Sequence, residues 1–116
     1  MHELSICQSL VEIILKELEK LKPASARLIY ADVVIGAMRQ IVPEYLTGAY
    51  EMVVKGTAAE GSQLRFREVP VKAKCRACSW TGDVRDLTFV CASCASPEIE
   101  LTGGMELFLE SLEIEN

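Results

Sequence analysis

The chain has 116 residues, half of them hydrophobic, and 12 basic residues against 17 acidic ones give it a formal charge of -5. That length buries one modest core, and a second lobe needs a metal to fold. The acidic balance argues against a grip on phosphate backbones, so no nucleic acid is expected as a partner.

From Leu4 to Leu21 apolar residues recur three or four apart, at Leu4, Cys7, Val11, Ile14, Leu18 and Leu21. This is the pattern of an amphipathic helix. Glu12 and Lys16 are placed as an i,i+4 pair, and Pro23 is expected to stop the helix after Lys22. The charges Glu12, Lys16 and Glu17 interrupt the apolar run, no span of about 18 apolar residues exists, and no secretory signal is recognisable. A soluble, cytoplasmic protein without a membrane partner is expected. Cys7 lies on the apolar stripe and reads as a small core residue, the alternative being a metal ligand or reactive thiol.

Arg27 to Ile35 is rich in β-branched and aromatic residues, with Ile29, Ala31, Val33 and Ile35 in period two, and reads as a strand ending at Gly36. Pro43 suits the first position of a second helix and Glu44 the positive end of its dipole. Leu46, Tyr50, Val53 and Val54 form the buried stripe of this helix, with Gly56 as its C-terminal cap. Gly48 costs helix stability, which points to close packing against a neighbour. A second strand alternates Leu64 and Phe66 with Arg65 and Arg67. Its alternation slips between Glu68 and Val69, beside Pro70, then resumes at Val71, Ala73 and Cys75, so a bulge or an edge position is expected. A third strand follows Gly103-Gly104, with Met105, Leu107 and Leu109 inward and a change of parity near Ser111 that turns Leu112 and Ile114 inward.

The strongest local signal lies between the second and third strands. Cys75-x2-Cys78 and Cys91-x2-Cys94 are two knuckles separated by twelve residues. Each knuckle presents two thiolates from one tight turn, and two knuckles complete a tetrahedral Zn2+ shell. Disulfides fit a secreted chain, and a redox Cys-x-x-Cys opens a helix, whereas Trp80, Thr81 and Gly82 read as strand and turn. Cys75, Cys78, Cys91 and Cys94 are therefore the expected structural zinc ligands, in a lobe with little core beyond Trp80 and Phe89. The fold expected is α+β: a small sheet of about three strands with two packed helices, plus a four-cysteine zinc-ribbon lobe inserted between strands two and three. Residues 1-72 and 101-116 form the main domain in this reading, and residues 73-100 form the zinc-binding lobe.

No enzyme is assembled. With His2 the single histidine, a Ser-His-Asp or Cys-His arrangement would need the extreme N-terminus to reach back into the fold; no phosphate-binding loop is present, and four cysteines close the shell that a zinc hydrolase keeps open. On the residues alone His2 reads first as a mobile terminal residue. The alternative is a chelate: the amine of Met1, the amide nitrogen of His2 and its imidazole can hold one ion in fused rings, an arrangement suited to Ni2+ or Cu2+, with Glu3 either opening the helix or serving as a further donor.

These residues resemble the HypA/HybF hydrogenase nickel-incorporation accessory proteins over nearly the whole chain. The resemblance rests on the opening Met1-His2-Glu3, Ile35-Gly36, the stretch from Gly56 to Gly61, both Cys-x2-Cys pairs, and the closing Gly104-Met105-Glu106-Leu107 and Ser111-Leu112-Glu113. It implies a nickel metallochaperone that binds Ni2+ at its N-terminus, with zinc structural. Delivery to the [NiFe]-hydrogenase large subunit, a GTPase partner of the HypB type, and in some bacteria the urease maturation proteins are implied with it. His2 matches the family's nickel ligand, Glu3 a residue that completes or tunes the site, and the four cysteines the zinc ligands. Some relatives carry histidines beside the second knuckle or a carboxylate before the second helix. Here those places hold Ala95 to Glu98 and Val42, so no second imidazole is available. The competing reading is a zinc-ribbon interaction module, for a protein or a nucleic acid, that handles no nickel.

Overall fold

The computed structural model describes residues 3-21 and 27-115. Met1, His2 and the expected stop at Pro23 lie outside the described residues. In chain order the elements are α1 (Glu3–Glu19), β1 (Arg27–Gly36), a 3-10 turn (Ala37–Arg39), α2 (Pro43–Val53), β2 (Gln63–Val69), β3 (Lys72–Cys75), β4 (Thr81–Asp83), β5 (Ile99–Gly103) and β6 (Leu107–Glu115). The strands form two three-stranded sheets, ordered β2-β1-β6 and β4-β3-β5. The α+β class and the strand count of the main sheet are as expected.

Two compact units result. One comprises the described residues up to Val34, Ile41–Arg67 and those from Leu107 on, and the other comprises Ile35–Gln40 and Glu68–Glu106. In the first unit, α1 buries Ile6, Cys7, Leu10, Val11 and Ile14. Leu4, placed on the buried stripe by periodicity, is 52% exposed. Ile6 and Leu10 broaden the apolar surface to one side, and packing against α2 selects that side. The helix tightens at its end through i−3 bonds from Lys20 to Glu17 and from Leu21 to Leu18. Its ion pair among the described residues is Lys20 to Glu17 at 3.2 Å, in place of the expected Glu12–Lys16 pair.

Helix α2 begins with Pro43 after the extended N-cap Val42 and carries Glu44 in its first turn. Leu46, Tyr50 and Val54 are buried. Gly56, with φ of 77°, supplies the left-handed residue that closes the following turn, where the Thr57 amide donates to the Val54 carbonyl. Inside the core the Ser62 hydroxyl donates to the Ala59 carbonyl and shares a 2.7 Å hydrogen bond with the Tyr50 hydroxyl, so neither polar group is orphaned. Gly48 departs from expectation. A Cβ added there meets nothing within 4 Å among the described residues, so none of these neighbours requires the glycine.

Strand β1 is the central strand of its sheet and buries Leu28, Ala31, Val33, Val34 and Ile35, more than period two allows to one face. Strand β2 is an edge strand, and its alternation breaks where the slip predicted. The stretch read as one bulged strand is two: β2 stops at Val69, and β3 belongs to the other sheet. Pro70 has no amide to give a ladder, which makes it a natural boundary. The parity change in β6 falls between Glu110 and Ser111, with Leu112 and Ile114 half-buried beyond it.

A polar clamp crosses the main sheet. Asp32 on β1 accepts hydrogen bonds from Arg65 Nε at 2.7 Å and Nη2 at 3.2 Å, and from the Ser111 hydroxyl at 2.7 Å, so one carboxylate ties β2, β1 and β6 together. The Arg65 guanidinium also lies 4.0 Å above the Tyr30 ring. Hydrogen bonds from Arg65 and Ser111 hold the Asp32 carboxyl below its ordinary value of 3.8. A depressed carboxylate contributes stability that is present above its unfolded pKa and lost as pH falls through the folded one. Thermal unfolding of Asp32→Asn should therefore lose less stability below about pH 3.8 than the parent protein does. Parallel acid limbs for the two proteins would refute the clamp.

Candidate metal centre

Each cysteine knuckle is built by the same backbone pattern. The first cysteine donates its amide to the carbonyl five residues on, Cys75 to Trp80 at 2.7 Å and Cys91 to Ser96 at 2.8 Å. Its carbonyl accepts from the residue after the second cysteine, Ser79 at 3.2 Å and Ala95 at 2.9 Å. Those two residues adopt left-handed φ of 67° and 63°, the sharp corner that returns the chain. The ring so formed aims amides inward. Ala77 N–H points at Cys75 Sγ and Ser93 N–H at Cys91 Sγ, both at 3.3 Å, while the amides of Trp80 and Ser96 serve Cys78 and Cys94. Sequence reasoning found the four sulfurs and missed these donors, because backbone groups leave no residue-type signal.

The knuckles face each other. Cys75 and Cys94 sulfurs are 3.8 Å apart, Cys78 and Cys91 sulfurs 3.5 Å, and all four lie within 4.8 Å of one another. A tetrahedron with Zn–S bonds of about 2.3 Å has sulfur-to-sulfur edges of roughly 3.8 Å. The cluster therefore fits a structural zinc site. Cys75 and Cys91 are buried, and Cys78 and Cys94 are exposed. Burial opposes ionisation of Cys91, but amides of Cys94 and Ser93 and the neighbouring thiols outweigh it and bring the thiol down to about 6. For Cys94 the Ser96 amide favours the thiolate, yet burial and the three other sulfurs push it up to about 12. Without a cation the four sulfurs compete for charge, and a divalent ion removes that competition.

The surrounding unit supplies little else. Val71, Ala73 and Val84 form its buried core, with Ala37, Met38, Trp80 and Ile99 packed against them. Phe89, expected in this core, is 39% exposed. Strand β3 pairs antiparallel with both β4 and β5, so the first knuckle hangs from the central strand of this sheet.

Of the expected nickel donors, Met1 and His2 lie outside the described residues. Glu3 is the first residue of α1, and its Oε2 accepts from the Val42 amide at 3.2 Å, placing the start of α1 beside the start of α2. Cys7 is fully buried, and burial pushes its thiol up to about 11, as suits a core residue and not a ligand.

This combination of an α+β unit and a small sheet carrying four clustered thiols defines a metal-binding protein whose cysteine site fits structural zinc. The family model described as "Hydrogenase/urease nickel incorporation, metallochaperone, hypA" matches residues 1–114. The chain is 33% identical over 115 residues to hydrogenase maturation factor HypA 2 of Bradyrhizobium diazoefficiens, covering 99% of this chain and 100% of that protein. It is 35% identical over 115 residues to HypA of Desulfitobacterium hafniense, covering 99% of each chain. Among solved structures it is similar to the nickel metallochaperone HypA from Helicobacter pylori, with a TM-score of 0.67, 26% identity, and coverage of 98% of this chain and 97% of that one. The chain belongs to the HypA family of nickel metallochaperones that act in hydrogenase and urease nickel incorporation. No helix among the described residues is long and apolar enough to cross a membrane.

Proposed function

We propose that this protein carries Ni2+ at its N-terminus, on the Met1 amine, the His2 amide and imidazole, and donors from Glu3, and delivers it for maturation of a [NiFe]-hydrogenase. The family match over residues 1–114, which includes Met1-His2-Glu3, carries this reading. Nickel is cargo here, and zinc held by Cys75, Cys78, Cys91 and Cys94 gives shape. Four thiolates satisfy a tetrahedral ion completely, so the cargo needs donors elsewhere. His2 is the only histidine, which leaves backbone nitrogens, Glu3, water or a partner to complete the nickel shell. Such a site suits a carrier that must release its ion. In this reading residues 1-72 and 101-116 handle nickel and 73-100 form the zinc lobe, in a cytoplasmic protein that works with a HypB-type GTPase, the hydrogenase large subunit and, where present, urease maturation proteins.

Calorimetric titration of nickel into untagged, zinc-loaded protein tests the assignment. His2→Ala should weaken binding by at least about tenfold, since even outer-shell partners of a metal command that much. An N-terminal extension that blocks the Met1 amine should do the same. Unchanged affinity in both variants would remove nickel from the N-terminus.

A further inference from the structure

Helix α2 turns one face to the core and leaves an unusual one outside. Tyr45 is 67% exposed and Met52 70% exposed, among the most open large hydrophobics of the chain. They sit seven residues apart with Gly48 between them, and Ala49 half-buried beside it. This is heptad spacing: Tyr45 and Met52 occupy successive a positions, Gly48 a d position, and Glu44 and Glu51 the flanking g positions.

A glycine in an exposed helix interior lowers helix stability, and among the described residues nothing within 4 Å of its Cβ direction explains it. A small residue between two large apolar ones is what a second helix needs to approach the backbone closely, with Tyr45 and Met52 gripping on either side. The flank states the partner's charge. Glu44 and Glu51 are both exposed, and neither takes part in an ion pair among the described residues. A second copy of this chain would bring two more carboxylates to the seam, whereas a basic flank would pair with them.

We propose that the outward face of α2, anchored by Tyr45 and Met52 and approached most closely at Gly48, docks an amphipathic helix of a partner protein that carries lysine or arginine beside its apolar stripe. The seam is about three turns long, so the contact is small and short-lived. The proposal does not depend on nickel. Its place in the fold would nonetheless serve a carrier, because the Val42 amide that holds Glu3 is one residue before α2 begins.

The test uses zinc-loaded, nickel-free protein and a display library of 18-residue amphipathic helices with a fixed apolar stripe and flanks randomised among Lys, Glu and Gln. Basic flanks should be enriched, and the selected peptides should shift the amide resonances of Tyr45, Gly48 and Met52. Gly48→Leu should weaken them at least tenfold while melting no earlier than the parent, and Glu44→Lys with Glu51→Lys should invert the preference to acidic flanks. Failure to enrich any helix, enrichment of acidic flanks on the parent, or resonance shifts confined to other elements would overturn the proposal. So would a dimer in sedimentation that Tyr45→Ala dissolves, since that assigns the face to a second copy. Normal nickel affinity with no helix bound would discard this face and leave the proposed cargo site standing.

Discussion

Stripping zinc from the four-cysteine site is expected to melt the unit of Ile35–Gln40 and Glu68–Glu106 while α1, α2 and the parts of β1, β2 and β6 that belong to the other unit stay folded. The buried core of the melting unit is Val71, Ala73 and Val84. Side chains this few and this small are a slight core for a unit of this size, and structural zinc in small domains contributes about 10–16 kcal/mol at neutral pH. The other unit has no such need, since Leu10, Ile14, Leu28, Leu46, Tyr50 and Val54 are all buried. Trp80 is the only tryptophan, and it packs against Gly82 so closely that a Cβ there would lie 2.6 Å from the ring, so its fluorescence reports on this unit. A strong chelator should expose Trp80 and collapse the amide dispersion of Ala73 and Gly82, with Cys91→Ala reproducing the effect. Native Trp80 emission in metal-free protein would contradict this account.

The second large effect is a steric one. Gly36→Ala should destabilise the same unit by about 3 kcal/mol or more, at or beyond the usual cost of overpacking. A Cβ on Gly36 would lie 2.1 Å from the Gly104 carbonyl oxygen, 2.2 Å from its carbon and 2.6 Å from the Glu106 amide nitrogen, all backbone atoms that cannot rotate away. The same approach is held by hydrogen bonds from the Gly36 amide to the Glu106 carbonyl at 2.7 Å and from the Met38 amide to the Gly104 carbonyl at 2.8 Å. Gly104 cannot retreat, because its φ is 113° and its own Cβ direction points at Val71. Gly48→Ala provides the opposite sign: with open space around it, the methyl should stabilise α2 by up to about 1 kcal/mol. Thermal melts of the two variants beside the parent protein measure both. Equal melting temperatures for all three would refute the packing argument.

Those two glycines show where sequence reasoning stops. Gly36 read only as the end of a strand, and Gly48 as a sign of close packing. The structure reverses the emphasis, since Gly36 is crowded by backbone and Gly48 faces open space. A glycine records that a side chain is missing, and the reason lies in residues as distant as Gly104. Similar logic governs α1. Its period marked an apolar helix, but the turn that buries Ile6 and Leu10 and exposes Leu4 comes from packing against α2.

What could be read from residues alone was whatever chemistry is local. The four cysteines declare a zinc site because thiolate, knuckle spacing and tetrahedral geometry are properties of a short segment, and their sulfurs lie at the distances such a site requires. Pro43, the slip beside Pro70 and the parity change at Ser111 were legible for the same reason: a missing amide or a lost alternation is visible within a few residues. The division of one apparent strand into β2 and β3, in two different sheets, was not legible. Nor was the reach of Glu3 to Val42, the three-strand clamp on Asp32, or the exposed stripe of Tyr45, Gly48 and Met52 on α2. Each of these joins, or leaves unjoined, groups that are distant in sequence or on opposite faces of one element, and such proximity exists only once the chain has folded.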